Sequence, residues 1–166
     1  MYGNWKFINM DASSVVTGLM EDDFMKLETE MATDYVTENN KGTMVIEPGI
    51  VRSNNIQYDI AFVSKIRTKV DGVLSDSTDY EFDFSMPPSS SVSQYSTSGD
   101  SIFTKSGVID MQGSISPTEP VPGKFKVEGN KLTLTFQIDR ILDESTPDVI
   151  SRSITKTSAT INLERQ

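Results

Sequence analysis

Tyr2-Gly3-Asn4-Trp5-Lys6-Phe7-Ile8 holds the only tryptophan of a 166-residue chain, with a glycine two positions before it. An indole has a large apolar body and one N–H donor, so it sits where the body is buried and the donor finds an acceptor. Trp5, with Gly3 beside it, therefore reads as a structural anchor and not as a reagent. Trp5 and Phe7 fall on one side of an alternating stretch over 2–10, with Ile8 and Met10 nearby, which suits a strand partly covered on both faces.

After that strand the rhythm changes. Val16, Met20, Phe24, Leu27, Met31 and Tyr35 are spaced four, four, three, four and four apart. That is the one-face signature of an amphipathic helix, and it predicts a helical segment within residues 11–38. Glu21, Asp22 and Asp23 would complement the dipole at a helix start, Gly18 is a point at which the segment divides, and Asn39-Asn40-Lys41-Gly42 reads as its stop. Met20, Met25, Met31, Phe24 and Tyr35 would give this helix an adaptable apolar surface. Phe24 and Met31 are its candidate lid residues over a ligand, set against plain core packing at one end of a barrel.

From Thr43 onward strand follows strand. Met44 and Ile46 alternate up to Pro48-Gly49, a turn signal. Tyr58, Ile60 and Phe62 continue from Ile56 in strict alternation with Gln57, Asp59 and Ala61, the pattern of a half-buried strand. Asp71-Gly72 is a hairpin turn, beyond which Tyr80, Phe82, Phe84 and Met86 alternate with Glu81, Asp83 and Ser85. Residues 87–101 are too poor in large apolar groups to build core and predict a long mobile loop or edge. Short β segments around Ile102-Phe103 and Val108 to Met111 precede a Pro-rich break at Pro117 to Pro122. Phe125 and Val127 then lead into Glu128-Gly129-Asn130-Lys131, and Leu132, Leu134, Phe136 and Ile138 lead out, an antiparallel hairpin. After an acidic loop over 139–148, Ile150, Arg152 and Ile154, a polar tip around Ser158, and Ala159, Ile161 and Leu163 predict one more hairpin. One helical block in a row of alternating strands predicts a closed or nearly closed antiparallel up-and-down β-barrel, one domain spanning 1–166, with another antiparallel barrel or a sandwich as the alternative.

Composition removes several functions. The formal net charge is −9, so phosphate backbones and anionic membrane surfaces are repelled and nucleic acid is not expected as a partner. There is no cysteine, hence no disulfide and no thiol chemistry, and no histidine, the commonest general base and metal ligand. Gly99-Asp100-Ser101-Ile102 is similar to the nucleophile block of a family of serine esterases, but nothing in the chain can act as the histidine base; an ordinary turn entering a strand is the better reading. Asp22-Asp23 and Asp139, Asp143, Glu144 and Asp148 could hold Ca²⁺ or do acid–base work, yet their spacing matches no Ca²⁺ loop and describes a solvated acidic surface. Neither a metal nor a cofactor is expected, and no enzymatic activity.

A Gly-x-Trp on the first strand of a β-rich chain of this size resembles the lipocalin and fatty-acid-binding protein superfamily, the calycins, in which the Trp closes one end of an antiparallel barrel. Gly3-Asn4-Trp5-Lys6 followed by Asp23-Phe24-Met25-Lys26 resembles the start of the intracellular fatty-acid-binding proteins, where a short helix pair caps the barrel after strand one. The closing Thr160-Ile161-Asn162-Leu163-Glu164-Arg165 sits where that family carries its last strand. Ile161 and Leu163 stand where its Arg-x-Tyr pattern binds a carboxylate, which argues against a charged fatty-acid headgroup. Similar domains occur as lipocalin-like lipoproteins exported by Gram-negative bacteria, and the start at Met1-Tyr2-Gly3, almost directly on a strand, suggests that a signal or lipid-attachment segment has been removed.

The resemblance implies a non-enzymatic, extracytoplasmic barrel, held to a membrane only through an N-terminal lipid outside this chain. Its expected cargo is a small hydrophobic molecule in an interior lined by Tyr58, Ile60, Phe62, Tyr80, Phe82, Phe84 and Phe136. The alternative is a solidly packed interaction or structural module of a bacterial surface assembly, working through residues 87–101 and 139–148.

Overall fold

A computed structural model describes residues 1–105 and 120–166. Nine strands follow one another: β1 (Gly3–Glu21), β2 (Lys26–Val36), β3 (Glu38–Glu47), β4 (Ile50–Val70), β5 (Val73–Ser98), β6 (Ser101–Thr104), β7 (Val121–Glu128), β8 (Lys131–Asp143) and β9 (Ile150–Arg165). All belong to one antiparallel sheet in the order β2-β1-β3-β4-β5-β6-β7-β8-β9, and the β1–β9 and β2–β4 pairings close it into a ring. The predicted segment Val108 to Met111 and part of the Pro117–Pro122 break lie outside the described residues.

The base of the ring is a packed barrel. Trp5, Phe7, Met44, Ile46, Leu132 and Leu134 are fully or almost fully buried there, each alternating with an outward polar neighbour. That apolar-in, polar-out order is the reverse of the pattern by which a barrel presents itself to lipid. A bulge between Phe7 and Asn9 turns Ile8 outward and returns Met10 and Ala12 to the interior, so the first strand is covered on one face and not on two. Thr37 interrupts what would otherwise be one long strand made of β2 and β3. It keeps its place against the bulge by donating its N–H to Met10 O at 2.9 Å and accepting from Met10 N on its hydroxyl at 2.8 Å.

Residues 16–38 are not helical. Val16 and Met20 lie on β1 and Leu27, Met31 and Tyr35 on β2, paired across a hairpin as Val16↔Met31 and Met20↔Leu27. Steps of four are even, so they hold a side chain on one face of a strand as well as of a helix. The single odd step, Phe24 to Leu27, spans the turn. There the Asp22 carboxylate accepts the N–H groups of Phe24 and Met25 at 2.8 and 2.9 Å, and the acidic trio builds a turn instead of a helix start. Asn39 to Gly42 falls inside β3, where Asn39 has φ 50° and Gly42 φ 108° and the register against β4 is irregular. A Cβ at Gly42 would lie 2.6 Å from the Asn55 carbonyl, which is why glycine stands there.

Two other expectations change. Residues 87–98 continue β5 instead of looping, because β4 supplies pairing as far as Gln94 and β6 from Tyr95 to Ser98, and small side chains fit the interior: Ser53 and Ser91 hydroxyls meet at 2.8 Å. Residues 150–165 form the single strand β9, not a hairpin with a tip at Ser158. The chain reverses instead over 144–149, where Asp143 accepts from the N–H and hydroxyl of Ser145. The turns at Pro48-Gly49, Asp71-Gly72, Gly99-Asp100 and Gly129-Asn130 are as the sequence indicates.

Candidate functional site

Among the described residues, the barrel opens on one side above its packed base. β6 and β7 pair with their neighbours only low in the ring, over 95–104 and 121–136. Higher up, β8 (137–143), β9, β1, β2, β4 and β5 (73–85) form a curved sheet in that order, and among the described residues nothing joins β5 to β8 there. The inner face of this sheet continues the face that carries the core below. Fixed by register, it presents Tyr35, Thr33 and Met31 on β2, Phe62, Ser64 and Ile66 on β4, and Phe84, Phe82 and Tyr80 on β5.

Its centre is aromatic. Phe62 stacks on Phe82 with centroids 5.0 Å apart, meets Phe84 edge-on at 6.2 Å and lies 5.7 Å from Tyr35. Below them Phe7 and Tyr58 make an edge-on pair at 6.1 Å inside the closed base. The ladder of rings therefore runs from a dry core to an open face: Phe82 is 44 % and Phe84 42 % exposed, and Tyr80 at the rim is 51 % exposed. Burial pushes the Tyr35 phenol above its ordinary range, since a phenolate there would lose hydration. On the same face Ser14 pairs with Thr157 at 3.1 Å and Thr33 with Ser64 at 3.3 Å, and by register Arg140 of β8 stands on it beside Thr155. Near the strand tips a groove of about 240 Å³ is lined by Gly18, Met20, Leu27, Thr29, Leu142 and Ser153.

The expected lining residues thus separate. Tyr58, Ile60 and Phe136 are buried in the base and belong to its core; Phe62 is half-buried at the junction; Tyr80, Phe82 and Phe84 stand on the open face. The two lid residues separate as well. Met31 lies on the inner face of β2, whereas Phe24, 92 % exposed at the tip of the β1–β2 hairpin, covers nothing. Residues 16–38 form part of the wall and are no helical cover.

At the opposite end Trp5 is fully buried and donates its indole N–H to Met1 O at 2.9 Å. The Arg165 guanidinium lies over its ring, 5.3 Å from the centroid, and donates to Tyr2 O at 3.1 Å. First and last strands are thereby clamped at the closed end.

No protein-family model matches the chain. Nor does any curated protein match it. Among solved structures it is similar, at 8 % identity and a TM-score of 0.18, to "Ail, the attachment invasion locus protein of Yersinia pestis", over 97 % of this chain and 99 % of that one. Two chains related at that score do not superpose as one fold, and the match carries no argument about site or location.

The acidic groups build no metal centre: among the described residues no three Asp or Glu side chains come close enough to hold an ion. Asp22 and Asp143 cap turns, and Asp139 and Asp143 face Lys156 and Arg152 across β8 and β9. Ser101 enters β6 from a turn, its hydroxyl 3.5 Å from Asp100, with no base nearby. Sequence reasoning missed Thr33, Ser64 and Ile66 as parts of the face. For Ser64 and Ile66 the signal was available, since the alternation through Phe62 runs on unbroken through Ser64, Ile66 and Thr68 to Val70; Thr33 lay in the stretch whose spacing reads as a helix.

Proposed function

We propose that this chain is a non-enzymatic, calycin-like binding protein that holds a small hydrophobic molecule on the aromatic inner face, where the packed barrel opens. The carrying observation is the half-exposed stack of Phe62 and Phe82, with Phe84 and Tyr35 around it, on a face continuous with the core. A clamp of Trp5 by the last strand at the closed end supports the calycin reading, in which that Trp closes the barrel. The extracytoplasmic location, in the envelope of a Gram-negative bacterium, rests on the resemblance to exported lipocalin-like lipoproteins alone.

Magnitudes limit the ligand. Covering the exposed half of one such ring recovers about 1 kcal/mol, so three rings give about 3 kcal/mol, no tighter than the millimolar range. A micromolar ligand therefore has to extend up the face to Met31 and Ile66, the next apolar pair in register. Around the aromatic stack itself the face is apolar or hydroxyl-bearing, which suits a neutral ligand.

The test is titration with Nile red, a neutral apolar dye, on wild type and on a Phe82→Ser, Phe84→Ser double variant. Both side chains are surface-accessible, so the fold persists. The proposal expects saturable uptake by wild type and at least about a tenfold loss in the variant, from the removed apolar area. Absence of uptake by wild type, or equal uptake by both, overturns it and favours the interaction module.

A further inference from the structure

The free margin of the open sheet carries a second message, independent of any small ligand. From 73 to 85, β5 is paired with β4 on one side, and among the described residues no strand lies on its other side; β6 joins only at 95–98. Thirteen residues of strand present a row of backbone donors and acceptors roughly 40 Å long.

The side chains along this edge follow a period of two with opposite chemistry on the two faces. Asp79, Glu81 and Asp83 point to the outer face, Tyr80, Phe82 and Phe84 to the inner. Asp79 is already paired, its carboxylate 2.7 Å from the Arg67 guanidinium. Glu81 and Asp83 are not: their cross-strand neighbours are Val63 and Ala61, and neither enters an ion pair among the described residues. The strand already seated on the inner side of β5 shows what such a margin accepts. On the outer face of β4, Lys65 stands directly opposite Asp79 and Arg67 reaches the same carboxylate diagonally, while Ile66 between them continues the inner face.

We propose that the 73–85 edge of β5 binds an extended peptide segment in which Lys or Arg alternates with apolar residues, added as a further strand of the sheet. The basic residues come beside Glu81 and Asp83, and the apolar ones beside Phe82 and Phe84. A second copy of this chain does not meet the requirement. Two β5 edges set antiparallel place acid against acid, and the other free margin, β8 over 137–143, carries Asp139 and Asp143 on the same outer face. Like charges facing each other across a ladder oppose pairing.

The experiment measures binding of a labelled peptide, Lys-Val-Lys-Phe-Arg-Val-Lys, beside a control of identical composition with its basic residues gathered at one end, and a third in which Glu replaces each basic residue. Hydrogen exchange of the complex locates the contact. The proposal expects the alternating peptide to bind about tenfold more tightly than the gathered one, from two or three correctly placed cross-strand pairs. It also expects new protection confined to 74–84 and a preference switched to the acidic peptide in a Glu81→Lys, Asp83→Lys double variant. Equal binding of the two basic peptides would show attraction to the net negative charge alone and overturn the proposal. So would protection elsewhere, or no binding by wild type.

Discussion

At the scale of single residues, Trp5 shows how much one side chain can fix. Its indole is fully buried, its N–H is spent on the Met1 carbonyl, and the Arg165 guanidinium closes over it, so residues separated by almost the whole chain meet at one point. Phenylalanine at this position keeps an aromatic ring but loses a hydrogen bond, a cation–π contact and part of the packed volume. We expect Trp5→Phe to cost about 3 kcal/mol, or roughly 6–12 °C in Tm. Arg165→Met keeps the apolar stem and loses the planar cation, and should cost about 1 kcal/mol. Thermal unfolding by circular dichroism checks both, and a Trp5→Phe variant as stable as wild type would remove the anchor. This role was legible in the sequence because a lone tryptophan has few places to go. The Arg165 partner was not: nothing local in Glu164-Arg165-Gln166 says which ring it covers.

Elements were harder to read, and the failure has one cause. Val16, Met20, Leu27, Met31 and Tyr35 satisfy a helix and a strand equally when steps of four dominate; only pairing with β4 and β9, brought from distant parts of the chain, decides for strands. Conversely, the serine-rich stretch to Ser98 extends β5 because a ladder needs backbone groups and not side-chain bulk. The same pairing organises the hairpin tips. Asp71 accepts the Lys26 N–H on its carboxylate at 2.9 Å and donates its own N–H to Lys26 O at 2.8 Å, tying the β4–β5 turn to the start of β2. Asp71 also holds φ 50°, a left-handed conformation that alanine tolerates poorly. Asp71→Ala should therefore free both tips. Hydrogen exchange should quicken at residues 22–27 and 70–73 while the base keeps its protection and Tm falls by no more than about 2–4 °C. Uniform loss of protection throughout the chain would mean instead that the tips hold the barrel together.

For the whole molecule, an apolar interior and a −9 surface leave few groups able to change charge near neutrality, since the chain has no histidine and no cysteine. The open face was half legible: Tyr80, Phe82 and Phe84 announced an apolar stripe, but among the described residues β6 and β7 pair only low in the ring, a consequence of strand lengths in space that no periodicity encodes. The charge pattern, by contrast, makes a prediction that needs only the structure's shifted groups. Glu28 is held below the usual carboxylate range by its bond to Lys26, Asp59 by Ser85 and Asn39, and Asp143 by Ser145. A carboxyl with a depressed value stabilises the fold above its unfolded range, and that support fades as pH falls through the depressed value. Tyr35 and Tyr95 are raised, chiefly by burial, so their contribution is complete below the ordinary phenol range and is lost as pH rises through the raised values. The three depressed carboxyls and the two raised phenols therefore act outside the range of about pH 6 to 9, where Tm should stay level to within roughly 2 °C, falling on the acid side with the carboxylates and on the alkaline side with the phenols. Moderate salt should raise that plateau without tilting it, because screening relieves the surplus of negative charge and leaves the protonation states alone. A step in Tm near pH 7, measured by scanning calorimetry across the range, would mean that a group other than these five governs the pH dependence of stability and would contradict the prediction.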